Sequence, residues 1–202
     1  MPAPRNDPWA GAVAHLIGVD PRWAPWIERG GPCPLRPSRD RFGILVRAII
    51  GQQISSRAAS TIDARLRERA GGKHDPQALL EIGEEGLRAA GLSGVKARYV
   101  LNLSAAVLEG TLPLKRIGAW DDEAIIASMT AIKGVGLWTA QMFLIFALNR
   151  PDVLPTGDLG VRAGLRRYYD LPEAPTPAGC IPLAEPWRPF RTVAMWYLWK
   201  GL

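Results

Sequence analysis

The segment Ile132-Lys133-Gly134-Val135-Gly136-Leu137-Trp138-Thr139-Ala140 decides the architecture. It lies between two stretches of helical apolar spacing, Asp122 to Ile132 and Leu137 to Leu148. Two glycines one residue apart permit a tight turn whose backbone N–H groups face outward beside a helix N-terminus, a good seat for a phosphate. Gly136 is expected to be needed for the turn to present those groups. A glycine turn between helices also occurs where nothing binds, so the segment alone establishes a pair of helices joined by a hairpin.

Outward from the hairpin, helical signals recur and no long strand-like alternation interrupts them. Asp7-Pro8 and Asp20-Pro21 each set a capping residue before a proline, predicting two short N-terminal helices. Phe42, Leu45, Val46, Ile49 and Ile50 give the segment Arg39 to Gly51 one apolar face, marking a central helix. Further helices are predicted over 55–70, from Asp75-Pro76, over 95–108, from Asp121 or Asp122 through Ile132, over 135–148 and over 158–169. Leu171 to Pro186 is proline-rich and reads as a loop with at most one short helix, before a tryptophan-dense helix from about Trp187 to Lys200. The fold class is all-α. The expected organisation is one compact two-lobed unit over 1–202, with 1–38 packing on the C-terminal part, one lobe near 39–115 and the other near 116–202.

With 202 residues, 48% hydrophobic and 22% charged, the chain has ample material for a core, which excludes disorder as its main state. No apolar run approaches the roughly 18 to 20 residues that span a bilayer, and Met1-Pro2-Ala3-Pro4-Arg5 leads into no secretory segment. A soluble intracellular protein without a membrane partner is expected, associated with the nucleoid if bacterial. Cys33 and Cys180 are too isolated for an iron–sulfur centre or a four-cysteine zinc site, and are expected to be reduced thiols. His15 and His74 read as surface or internally bonded histidines. A net charge of +6 favours an anionic partner, nucleic acid foremost. Twenty arginines against five lysines suit bidentate phosphate contacts and equally follow from GC-rich codon usage.

Two further stretches matter through their combination with the hairpin. Leu154-Pro155-Thr156-Gly157-Asp158 precedes a predicted helix, where an aspartate is first of all a cap. Gly51-Gln52-Gln53-Ile54-Ser55 lies about eighty residues before the hairpin. In order and spacing, these elements with Asp158-Leu159-Gly160-Val161-Arg162 and Trp187-Arg188-Pro189-Phe190-Arg191 resemble the helix-hairpin-helix/Gly-Pro-Asp superfamily of DNA glycosylases. The likeness is strongest to its alkylbase branch, of the 3-methyladenine DNA glycosylase II type, and covers roughly Arg36 to Leu202.

The resemblance implies a two-lobed helical fold with its active-site cleft between the lobes, Asp158 facing that cleft, and Lys133, Gly134, Val135, Gly136 and Thr139 at the DNA backbone. It implies base excision repair: a damaged nucleotide is flipped from double-stranded DNA, and its base is removed by hydrolysis. Gln53, with Gln52 as second choice, matches the side chain that fills the vacated space, although a polar capped loop needs no such role. Asp158 matches the carboxylate that opposes positive charge on the deoxyribose or activates the attacking water, and its helix-start position favours a negative charge. Trp138 and Trp199 match walls of a pocket that selects cationic alkylated purines, while Trp196 is expected in the core. Arg57, Arg162 and Arg191 are either phosphate contacts or ordinary surface arginines.

Three departures refine the resemblance. Only about forty residues precede the matching region, where some relatives carry an additional α/β domain. Relatives that also cut the strand use a lysine where this chain has Trp138, which points to a monofunctional enzyme without lyase activity. The four-cysteine cluster of many relatives has no counterpart. No cofactor is expected, a monovalent cation bound by hairpin carbonyls is optional, and no obligate protein partner is inferred. The competing readings are a glycosylase for oxidised or mismatched bases and a helix-hairpin-helix DNA-binding module without catalysis.

Overall fold

Side-chain caps set most of the helix starts. In a computed structural model that describes residues 7–202, Asp40, Ser55, Asp75, Ser93, Asp121, Asp158 and Thr176 each accept a hydrogen bond from a backbone N–H in the first turn of the following helix. The first five residues, read above for a secretory segment, lie outside the described range. Among the described residues there are eleven α-helices and no strand. They are α1 (Ala10–Val19), α2 (Trp23–Gly30), α3 (Arg41–Gly51), α4 (Ser56–Arg69), α5 (Pro76–Ala89), α6 (Gly94–Leu108), α7 (Asp122–Thr130), α8 (Leu137–Phe146), α9 (Leu159–Tyr169), α10 (Pro177–Ala184) and α11 (Arg191–Lys200). None of these is long and apolar enough to cross a membrane.

The Asp-Pro pairs act one step earlier than predicted. Each aspartate makes a turn, Asp7 accepting from Trp9 N and Asp20 from Arg22 N, and the helix begins after it. The proline-rich stretch holds α10 with Pro182 inside it, opened by the Thr176 cap and Pro177.

The contacts divide the chain into two units, Pro37–Leu148 and the described part of Met1–Arg36 together with Asn149–Leu202. The division falls after Leu148, not near residue 115, because α8 packs on α3 and α7 and so brings the hairpin into the first of these units. There, α3 is buried along Leu45, Val46, Ile49 and Ile50 and packs on α4, α6 and α8. Helix α8 is buried nearly all round, as expected from its unbroken apolar run. His74 is buried in this unit, with Nε2 2.6 Å from Asp63 Oδ1.

In the other unit α2, α9 and α11 enclose an aromatic core. Trp23 is fully buried, with ring centroids 4.3 Å from Tyr168, 5.0 Å from Trp187 and 6.5 Å from Tyr197. Cys33 and Cys180 are free thiols, and burial pushes that of Cys33 up to about 11. No group of three or more His, Cys, Asp or Glu suited to a metal ion occurs among the described residues.

Because Trp23 fills the centre of this cluster, Trp23→Ala is expected to cost about 3 to 5 kcal/mol of stability. Urea unfolding measures it, and a loss below about 1 kcal/mol would show that the cluster is not the core of its unit.

Candidate active site and nucleic-acid interface

Asp158 caps α9 from an extended backbone conformation, and its Oδ1 accepts two N–H groups: Val161 N at 2.8 Å and Trp199 Nε1 at 3.0 Å. The two donors come from different helices, so together they fix the carboxylate's orientation. Glycine at 160 is what lets the indole in. A Cβ there would lie 2.9 Å from Trp199 Cδ1 and 3.1 Å from Asp158 Oδ1. Thus Trp199, expected as a pocket wall, also holds the carboxylate through its ring edge. Trp196 is half-buried and not core, with the Lys200 ammonium 5.7 Å from its ring centroid.

The loop leading to Asp158 is tied to the other end of α11. Asp152 accepts from Arg191 Nε at 2.6 Å, Arg191 Nη2 at 3.0 Å and Arg188 Nη1 at 2.8 Å. Val153 N donates to Thr192 Oγ1, and Thr192 N to Pro151 O, both at 3.0 Å. One helix therefore anchors the loop at its first turn and meets Asp158 at its last. Arg191 is 8% exposed and committed to Asp152, so it is neither a phosphate contact nor a surface arginine. Arg162 is half-buried with Nε donating to Pro175 O, while Arg57 is exposed. Asp152 had no signal of its own in the sequence beyond an acidic residue upstream of Asp158.

In the Pro37–Leu148 unit the turn after α7 is shaped by Gly134, at φ +104. A Cβ there would also strike the Tyr99 ring at Cγ. Gly136, in contrast, is extended (φ −90, ψ 174) with open space around it. The special backbone conformation of the turn therefore sits at Gly134. Lys133 is exposed, Val135 is buried, and Gly136 opens α8 as its N-cap. Ile132 O accepts from Val135 N at 3.0 Å and Lys133 O from Asn102 Nδ2 at 3.1 Å. A monovalent cation at the turn's carbonyls would compete with these donors.

Trp138 is half-buried in the first turn of α8. Thr139 is 1% exposed, and its hydroxyl accepts from Gln52 Nε2 at 3.1 Å, so its side chain bridges to the glutamine loop in place of reaching outward to DNA. Gln53 is exposed and left-handed, at φ 56. Lys96 and Asn102 of α6 contact these loops but had no signal in the sequence, because an isolated helix shows no partner for them; Tyr99, expected to face a core, instead packs over Gly134.

A family model described as HhH-GPD superfamily base excision DNA repair protein matches residues 46–189, well over half of the chain. The chain belongs to that superfamily. It is 36% identical over 197 residues to DNA-3-methyladenine glycosylase 1 of Schizosaccharomyces pombe, covering 94% of this chain and 86% of that protein. It is 31% identical over 170 residues to DNA-3-methyladenine glycosylase 2 of Escherichia coli, covering 79% and 57%. The solved structure of the S. pombe 3-methyladenine DNA glycosylase in complex with abasic DNA superposes with a TM-score of 0.87 at 35% identity, covering 95% of this chain and 96% of that one. An all-helical HhH-GPD fold and the glycosylase resemblance are thereby established.

The two hairpin glycines are expected to differ. Gly134→Ala combines a positive φ with a clash on Tyr99 and is expected to cost about 1 to 3 kcal/mol of stability. Gly136→Ala is expected to stay within about 0.5 kcal/mol of the parent. Chemical unfolding of both variants checks this, and equal losses would contradict the assignment of the turn to Gly134.

Proposed function

We propose that the chain is a monofunctional DNA N-glycosylase that removes alkylated purines, 3-methyladenine among them, from double-stranded DNA. The names of its relatives support the substrate class. The single observation that carries the site is the Asp158 carboxylate, oriented by Val161 and Trp199 in a family that repairs DNA by base excision.

The chemistry follows from charge. A base stacked in a duplex is out of reach, so the nucleotide is first extruded, at least cost where damage weakens pairing. Backbone N–H groups at the Lys133–Gly136 turn and the start of α8, other than that of Val135, which is bonded within the turn, hold the backbone phosphates, and Gln53 enters the vacated stack. As the glycosidic bond breaks, its electron pair leaves with the purine and C1′ becomes cationic. Asp158 opposes that charge. Water adds to C1′ and releases a proton, leaving an abasic site and the free base. A purine alkylated at a ring nitrogen departs as a neutral molecule and needs little acid assistance. Before departure its positive charge is attracted to the face of Trp199, which lies in the same unit as Asp158, by about 0.5 to 2 kcal/mol when desolvated. Trp138 at the position where strand-cutting relatives carry lysine supports hydrolysis without a Schiff base.

A gel assay of single-turnover reactions tests the proposal. Duplexes carrying 3-methyladenine or 7-methylguanine are expected to yield abasic sites with the strand intact, faster than one carrying 8-oxoguanine, and borohydride is expected to trap no adduct. Binding without excision would leave only a DNA-binding module. Faster 8-oxoguanine removal would move the enzyme to the oxidised-base class, and a trapped adduct would overturn the monofunctional assignment.

A further inference from the structure

Lys96, Tyr99 and Asn102 follow one another at three-residue steps along α6 and meet both loops of the nucleic-acid interface. Tyr99 packs over Gly134, Asn102 holds Lys133 O, and Lys96 reaches the glutamine loop. Lys96 is unfavourably placed by ordinary rules. It sits in the first turn of α6, where the helix dipole disfavours a cation, and it is half-buried, which lowers its pKa from the usual lysine value.

What offsets these costs is a pair of short bonds. The ammonium donates to Ile50 O at 2.7 Å and to Gln52 O at 2.6 Å. Those carbonyls lie at the C-terminus of α3, where orphan acceptors collect and the dipole welcomes a positive charge. The next residue, Gln53, is in the left-handed conformation that side chains rarely adopt. Gln52 is held twice over, by its carbonyl to Lys96 and by its amide to Thr139. The chain therefore turns sharply out of α3 at a place fixed by one ammonium, with Gln53 left exposed at the turn.

We propose that Lys96 is a positioning residue for base extrusion: by clipping the carbonyls of Ile50 and Gln52, it holds the following residue, Gln53, in the conformation that enters the base stack. This rests on the reading of Gln53 as the inserted side chain. Because Tyr99 and Asn102 hold the hairpin from the same helix, the clip also sets the spacing between the inserting loop and the phosphate-binding turn.

The test uses the full chain with Lys96→Met, Lys96→Gln, Lys96→Arg, Gln53→Ala and the Lys96→Met/Gln53→Ala double variant. One probe is a duplex containing 7-methylguanine, read as the single-turnover excision rate. The other is a duplex with 2-aminopurine beside a tetrahydrofuran abasic analogue, whose fluorescence rises on unstacking. Lys96→Met is expected to slow excision about tenfold and lose the fluorescence rise, with affinity for undamaged duplex within about twofold of the parent. Lys96→Arg is expected to restore the rate to within about threefold, and the double variant to be no slower than the slower single one. Should the methionine variant not fold, Lys96→Gln carries the same comparison.

Parental rates in both the methionine and glutamine variants would overturn the proposal, as would losses that multiply in the double variant. An equal loss of affinity for undamaged duplex without rescue by arginine would reduce Lys96 to a fold-maintaining residue and also overturn it. If Gln53→Ala excises at the parental rate while Lys96→Met is slow and silent in fluorescence, the clip stands and another side chain of that loop enters the stack.

Discussion

One carboxylate oxygen, Oδ1 of Asp158, accepts both the N–H that caps α9 and the indole N–H of Trp199. Much of its unit is arranged around that shared acceptor. Gly160 leaves room for the indole, and Asp152 with Thr192 ties the preceding loop to the start of the helix that ends at Trp199. A group that must oppose developing charge is most effective when already oriented, because no reorganisation is then needed at the moment of bond breaking. On the proposed role of Asp158, the capping bond serves fold and chemistry together.

The Pro37–Leu148 unit meets a comparable demand with other means. Its two loops lie far apart in sequence, and the Gln52–Thr139 bond joins them directly. Helix α6 then acts as a common base, contributing a cation, an aromatic ring and an amide from one side. Short polar contacts to backbone atoms hold loop geometry more closely than apolar packing alone, since each carbonyl offers only a narrow range of directions to its donor. The outward-facing Gln53 and Lys133 sit on that framework.

Local features were legible in the sequence. The helix starts at Ser55, at Asp75-Pro76 and at Asp121 or Asp122, the cap at Asp158, the apolar face of α3 and the unbroken apolar α8 were all visible, because each depends on neighbours within a few residues. What escaped depends on distant partners. Which hairpin glycine adopts the unusual conformation is marked by Tyr99, and the fate of Arg191 is decided by Asp152. The grouping of the hairpin with α3 reflects packing that no local pattern encodes. Helix α10 was harder to read because its own prolines resemble loop punctuation, although Thr176-Pro177 is a helix start.

The most direct measurement is single-turnover excision of 7-methylguanine by Asp158→Asn, beside its affinity for DNA containing an abasic analogue. Asparagine keeps an Oδ1 to accept from Val161 and Trp199, so the substitution removes the charge and retains the cap. Excision is predicted to fall by about a hundredfold or more, with DNA affinity and thermal stability retained. Excision near the parental rate in a folded, DNA-binding variant would contradict the claim that the Asp158 charge drives the reaction.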